Sequence, residues 1–458
     1  MIVPLVVATA LFMENLDSTV IATSLPAIAA DLREDPIQLK LALTSYLLSL
    51  AIFIPASGWM ADRFGARRVF RSAIAVFTLG SILCGLSSSL PGFVAARIVQ
   101  GMGGAMMTPV GRLVILRSTP RADLVRSLAW LTIPALVGPV IGPPLGGFIT
   151  TYFHWRWIFW INVPIGALGL LLATLYIPDV REPKTPPLDV SGFVLSGLAL
   201  SCLIFGFSVV GRGVVSAQAD AALIGAGAIA LLAYLRHARI AAHPILDLRL
   251  LRHPTFRASV GGGFFFRVGI GATPFLLPLL FQTAFGLSPF QSGGLTFVST
   301  VGAMAMKATA APILRRFGFR TVLIFNGLVA TAFFLCSIFF TRQTPHLVIM
   351  AVLLTGGFFR SLQFTALNAV AYAEIEPGEM SRATSLAAVA QQLSLSVGVT
   401  LAAAALELTR RSRGEALAMT TADFAPAFLV VGAVSLISIL FFWRLKPDAG
   451  AEISGRNR

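Results

Sequence analysis

Two carboxylates stand where a lipid bilayer would penalise them. Glu14 and Asp17 lie in the first long apolar stretch, Ile2 to Ile28, three residues apart and therefore on one helix face. An acid at membrane depth costs about 2.5–3.5 kcal/mol on insertion scales, so such groups face a cavity, a partner or a proton pathway. Burial, a neighbouring acid and a nearby cation act on a carboxyl in opposing senses. An acid balanced between them can take a proton on one side and release it on the other. The alternative is a structural ion pair with an arginine. Arg97 is a candidate partner, but it sits so close to the start of its own stretch that it could equally snorkel to the outer interface. The C-terminal half holds cations instead: Arg267, Lys307 and Arg360, with Gln363, Asn368 and Gln391 as uncharged companions. Unpaired buried cations are costly, which points to a visiting anionic group on a substrate. Backbone carbonyls or snorkelling would answer the same need.

The elements that must position these groups are membrane spans. Of 458 residues, 56% are hydrophobic and 12% charged, and no long polar segment remains for a separate soluble domain. A span needs about 20 apolar residues. That rule predicts an all-α integral membrane protein of fourteen transmembrane helices, beginning near Ile2, Leu39, Val69, Phe93, Leu128, Ile158, Val190, Ala217, Phe256, Gln291, Val322, Leu347, Leu386 and Phe424. The first stretch carries two acids and no basic start, so it reads as a retained span and not a signal peptide. Lys and Arg concentrate in alternate loops and in the C-terminal tail. This places both termini in the cytoplasm and assigns the net charge of +15 to topology and anionic lipid, not to nucleic acid. Cys84, Cys202 and Cys336 fall in different spans and read as packing residues.

An internal repeat organises the chain. Pro36-x-Gln38 recurs as Pro289-x-Gln291, and Phe64-Gly65-x-Arg67 as Phe317-Gly318-x-Arg320, each 253 residues on. Kept spacing of this kind predicts two six-helix bundles with a binding site at the midplane between them, plus two inserted central helices. The expected domains are residues 1–177, a linker with the extra pair at 178–255, a second bundle at 256–444, and a tail at 445–458.

Several motifs sit on this frame. Gly58-Trp59-Met60-Ala61-Asp62-Arg63-Phe64-Gly65-Ala66-Arg67-Arg68 is a tight turn between spans two and three, and it resembles the signature loop of the major facilitator superfamily. Arg97 to Ala105 resembles that superfamily's second motif, which carries an intramembrane arginine. Gly138-Pro139-Val140-Ile141-Gly142-Pro143-Pro144-Leu145-Gly146-Gly147 resembles its antiporter motif, and Leu16-Asp17-Ser18-Thr19 the first-helix motif of the fourteen-helix drug:proton antiporters. The resemblance implies proton coupling at Asp17 and Arg97, with Glu14 outside the motif. It implies conformational roles for Gly58, Asp62, Arg63, Gly65 and Arg67, and for Gly138, Gly142, Pro143, Gly146 and Gly147. Two positions depart from the pattern: Ala22 stands where an asparagine is frequent, and Ala129 where the longer antiporter motif has a glycine. Independently, glycines every four residues give span five one smooth face for a close neighbour.

The expected function is therefore proton-coupled export of small molecules, drug-like or organic-anion, by alternating access from a bacterial plasma membrane. Uniport or import is the alternative. An enzyme is not expected, because the five histidines lie in loops or at span ends and no nucleotide-binding loop is present. No cofactor is called for beyond the proton as coupling ion. The expected partners are the substrate, protons and the bilayer, and a monomer suffices.

Overall fold

The computed structural model describes residues 2–118, 124–178, 187–209, 217–242, 244–376, 379–413 and 419–451, with the backbone alone over 124–136. Most of the Pro-rich stretch after Pro178, the side chains of Arg112, Ala129 and Pro134, and the tail arginines Arg456 and Arg458 lie outside the described residues. Every regular element among the described residues is helical.

The chain divides into two compact units, Met1–Leu246 and Asp247–Arg458. The first contains α1 (Ile2–Val20), α2 (Leu25–Leu32), α3 (Lys40–Phe64), α4 (Ala66–Leu86), α5 (Leu90–Ser118), α6 (Leu124–Tyr152), α7 (Trp157–Trp160), α8 (Asn162–Tyr176), α9 (Val190–Val209) and α10 (Ala217–Ile240). The second contains α11 (Pro254–Arg257), α12 (Gly263–Leu279), α13 (Pro289–Phe317), α14 (Phe319–Leu335), α15 (His346–Val370), α16 (Met380–Arg413), α17 (Thr421–Leu436) and α18 (Ser438–Trp443). Among the described residues, eleven helices or continuous helical runs are long and apolar enough to cross a membrane. The helices α5, α6 and α13, each of 29 residues, are additional to these eleven. The two helices expected as an inserted pair, α9 and α10, lie in the first unit, where α9 packs on α10 and on α3. Asp189 anchors it: its carboxylate accepts from the Gly192 N–H at 2.8 Å, meets His237 Nε2 at 2.7 Å and accepts from the Ile245 N–H at 3.1 Å.

The repeated sequence signals are local devices with physical reasons. Pro289 occupies the first turn of α13, where a missing N–H costs nothing. Ser288 caps that helix, its Oγ accepting from the Gln291 N–H, while Gln291 Oε1 accepts from the Ser288 N–H. In the first copy Asp35 takes the place of Ser288 and accepts from the Ile37 N–H at 2.8 Å. Gly65 and Gly318 join α3 to α4 and α13 to α14 at φ 94° and 74°, a region that penalises side chains and so demands glycine. Arg67 then donates to the Thr174 carbonyl near the end of α8, tying the loop to that helix.

Trp155-Arg156-Trp157 forms a polar and aromatic corner at the start of α7. Trp157 is exposed, but Trp155 is buried against Phe93 and Phe159 and donates its indole N–H to Asp31 at 3.0 Å. Arg156 bridges Asp31 at 2.6 Å and the Ser87 carbonyl at 2.9 Å, so this corner clamps α2 to the turns before α5 and α7. Burial alone would raise the Asp31 carboxyl; the bonds from Arg156 and Trp155 outweigh it and hold it below its usual value.

The glycines of α6 press on α1. A Cβ on Gly138 would lie 2.8 Å from Asn15 Cβ, one on Gly142 2.0 Å from Thr19 Oγ1, and one on Gly146 2.3 Å from the Val20 carbonyl oxygen. Thr19 and Thr23 donate across the seam to the carbonyls of Gly138 and Pro143, both at 3.4 Å, and Ser24 bonds Thr150 at 2.6 Å. At Gly146 the obstacle is main chain, which cannot rotate away. Gly146→Ala is therefore expected to cost about 1–3 kcal/mol by overpacking, read as a lower unfolding midpoint of the solubilised protein. An unchanged midpoint would show that the seam is looser than this geometry.

Candidate functional site

The polar centre of the first unit is built on α1, with α3, α4, α5 and α8 closing around it. Asp17 lies near the end of α1, and Arg97 enters from α5 about two turns after its start. Arg97 NH1 meets Asp17 Oδ2 at 2.7 Å, and each side chain is 1% exposed. The snorkelling alternative is thus not the one adopted. The guanidinium stays inside because the interior satisfies it. Its centre lies 4.3 Å from the Tyr46 ring centroid, Nε donates to the Ala42 carbonyl at 3.3 Å, and NH1 also donates to Gln100 Oε1.

Asp17 Oδ1 is held from the other side. Gln100 Nε2 donates to it at 2.8 Å and Asn162 Nδ2 at 2.7 Å, and both amides also reach Ser81 Oγ, at 2.7 and 3.2 Å. One cation and two amides around one carboxylate fit its ionised form. Glu14 is treated differently. It is half-buried, and Thr108 Oγ1 on α5 donates to its Oε2 at 3.1 Å. No cation lies within ion-pair distance of it among the described residues.

Sequence reasoning did not single out Asn162, Ser81 or Tyr46. An amide inside the apolar run Trp157–Tyr176 was the available signal for Asn162. Gln100 stood within the quoted motif, one turn from Arg97. The hydroxyls of Ser81 and Tyr46 resemble many others in spans and carry no signal of their own.

The second unit brings together only part of its predicted set. Arg267 on α12 is buried; its NH1 donates to the Ser259 carbonyl at 3.4 Å and NH2 to Asn368 Oδ1 at 3.3 Å, with the Phe364 ring 5.6 Å away. Arg360 donates to Ser299 Oγ at 3.1 Å, and Lys307 Nζ to Thr365 Oγ1 at 2.9 Å from an exposed position on α13. Gln363 has no exposed face. Its Oε1 accepts from Asn326 at 2.9 Å and its Nε2 donates to the Leu323 carbonyl at 2.9 Å, which joins α14 to α15. Gln391 is half-buried on α16, away from these bonds.

Three quoted motifs therefore meet on one helix: α1 receives the glycines of α6 and the arginine of α5. A profile of the Major Facilitator Superfamily matches residues 7–399 and also residues 259–457. The chain belongs to this superfamily. Among its relatives, "Putative multidrug resistance protein MdtD" of Klebsiella pneumoniae (strain 342) is 36% identical over 456 residues, covering 99% of this chain and 97% of that one. The protein of the same name from Serratia proteamaculans (strain 568) is 38% identical over 397 residues, 87% of this chain and 83% of that one. Among solved structures, a D-xylose-proton symporter superposes with a TM-score of 0.69 at 17% identity, covering 98% of both chains. The protein is thus a multi-pass membrane transporter of this superfamily and not an enzyme, with relatives named for multidrug resistance.

Proposed function

We propose that the protein is a proton-coupled exporter of drug-like small molecules, crossing the bacterial plasma membrane fourteen times with both termini inside and working by alternating access. On this reading α5, α6 and α13 complete the set of spans. The observation that carries it is the Asp17–Arg97 pair, a buried acid within the first span whose cation comes from another helix. Protonating Asp17 would remove half of that pair, free Arg97 to move, and so make the conformational balance depend on which side supplies the proton. The names of the 36–38% identical relatives support drug-like cargo. The close glycine seam between α1 and α6 supports an antiporter role for its motif, since a tight contact beside the acid hinders leakage of protons.

Proteoliposomes under an imposed pH gradient test the proposal. Adding a lipophilic substrate is expected to drive proton flux in the wild type and none above protein-free background in Asp17→Asn. Substrate flux with no proton movement in the wild type would make the protein a uniporter and overturn the coupling.

A further inference from the structure

The polar centre of the first unit has a counterpart in the second, and the two places are filled in opposite ways. The repeat offset is 253 residues through α1, α3 and α4, and 256 in α15, because the connection leading into it is three residues longer than the one before α5. Packing supports this register. A Cβ on Gly101 would lie 2.9 Å from the Tyr46 carbonyl oxygen, and one on Gly357 1.9 Å from that of Ser299. Glu14 bonded to Thr108 becomes Arg267 over the Phe364 ring.

By the same register Asp17 becomes Ile270, Tyr46 becomes Ser299, Arg97 becomes Leu353 and Gln100 becomes Gly356. Three of these changes remove volume. Where the first unit is packed with an ion pair, the second has a hollow of about 50 Å³ that opens to one side, walled by Phe266, Phe333 and Phe334. One charge faces it. Arg360 stands where the first unit has Gly104, lines the hollow and donates one bond, to Ser299. Among the described residues no carboxylate lies within ion-pair distance of it. The hydroxyls of Thr273, Thr331 and Ser435, also on the wall, are bonded to carbonyls of their own helices. A guanidinium offers five N–H donors in a planar fork, which leaves Arg360 donors free for a second planar partner.

We propose that this hollow seats an amphipathic monoanion: a carboxylate held by the Arg360 fork and the Ser299 hydroxyl, on an aromatic or branched aliphatic body lying against the phenylalanines. A small convergent polar group on an apolar wall is the usual make-up of a small-molecule site. The inference deepens the export reading, on which it rests, by naming a substrate class and its seat within the second unit.

Equilibrium titration of the purified full-length protein in neutral detergent tests it, with 4-phenylbutyrate and its uncharged amide as probes. The wild type is expected to bind the acid and to prefer it to the amide. Arg360→Gln should weaken acid binding about tenfold or more, Arg360→Lys less, and Ile270→Trp should block the hollow for both probes. Should Arg360→Gln fail to fold as a monodisperse helical protein, Ser299→Ala and Ile270→Trp decide the matter. Wild type that binds no acid at millimolar concentration, that binds acid and amide alike, or that is matched by Arg360→Gln and Ile270→Trp, overturns the proposal. Binding needs neither a gradient nor Asp17, so its failure leaves proton coupling standing. Loss of proton flux with binding intact would remove the coupling and keep the site.

Discussion

Asp17→Asn and Arg97→Gln, each alone, are expected to destabilise the solubilised protein by about 3–5 kcal/mol, and the double replacement by clearly less than either. The asymmetry follows from burial. With Asp17 neutral, the Arg97 guanidinium keeps its charge, is 1% exposed, and loses its one carboxylate. With Arg97 neutral, Asp17 keeps two amide donors but no countercharge. In the double variant two amides replace two charges, within reach of Gln100, Asn162 and Ser81, which already bond among themselves. Polar groups remain satisfied and no ion stays buried alone. The measurement is a double-replacement cycle on unfolding midpoints, with proton-driven transport followed in parallel. All three variants should lose coupled transport, including the one whose stability recovers. Additive losses would mean that the two side chains are in contact without being energetically coupled, and the pair would then be a poor candidate for a switch.

How much of this could be read from the chain depends on whether local pattern or packing decides each feature. The glycines of α6 recur every fourth residue, and that period alone places them on one face; only their neighbour, Thr19 and Val20 of α1, needed the fold. The Pro-x-Gln and Gly-x-Arg pairs are local helix-start and turn devices, so their repetition is visible in the chain itself, and the capped start of α13 and the positive φ of Gly65 and Gly318 are their structural form. Arg97 was ambiguous because a long side chain near a helix end can reach either way. The Tyr46 ring and the Ala42 carbonyl, contributed from α3, settle it, and no pattern within α5 reports them. Gln363 misled for the opposite reason. An amide in a span reads equally as a ligand or as a helix clasp, and Asn326 lies one helix away to claim it. The hollow beside Phe266, Phe333 and Phe334 was invisible because it is made by what Ser299 and Gly356 lack relative to Tyr46 and Gln100, their counterparts in the first unit.

Glu14→Gln is expected to do what Asp17→Asn cannot: abolish proton-driven export while leaving the fold intact. Glu14 has one hydrogen bond, from Thr108, and an amide oxygen accepts that bond as well as a carboxylate does. No buried cation is stranded by the change, so stability should stay within about 0.5 kcal/mol of wild type. The chemistry differs completely, because an amide cannot take up and release a proton. Three residues before Asp17 on the same face, Glu14 is placed to pass a proton to or from the Asp17–Arg97 pair once that pair opens. Its repeat counterpart, Arg267, has the opposite charge, so the acid has no equivalent in the second unit. Paired assays separate the possibilities. Loss of coupled transport with an unchanged unfolding midpoint assigns proton passage to both acids. Wild-type transport in Glu14→Gln confines it to Asp17, and the Thr108 bond then serves only to seat an acid at the edge of the α1–α5 contact.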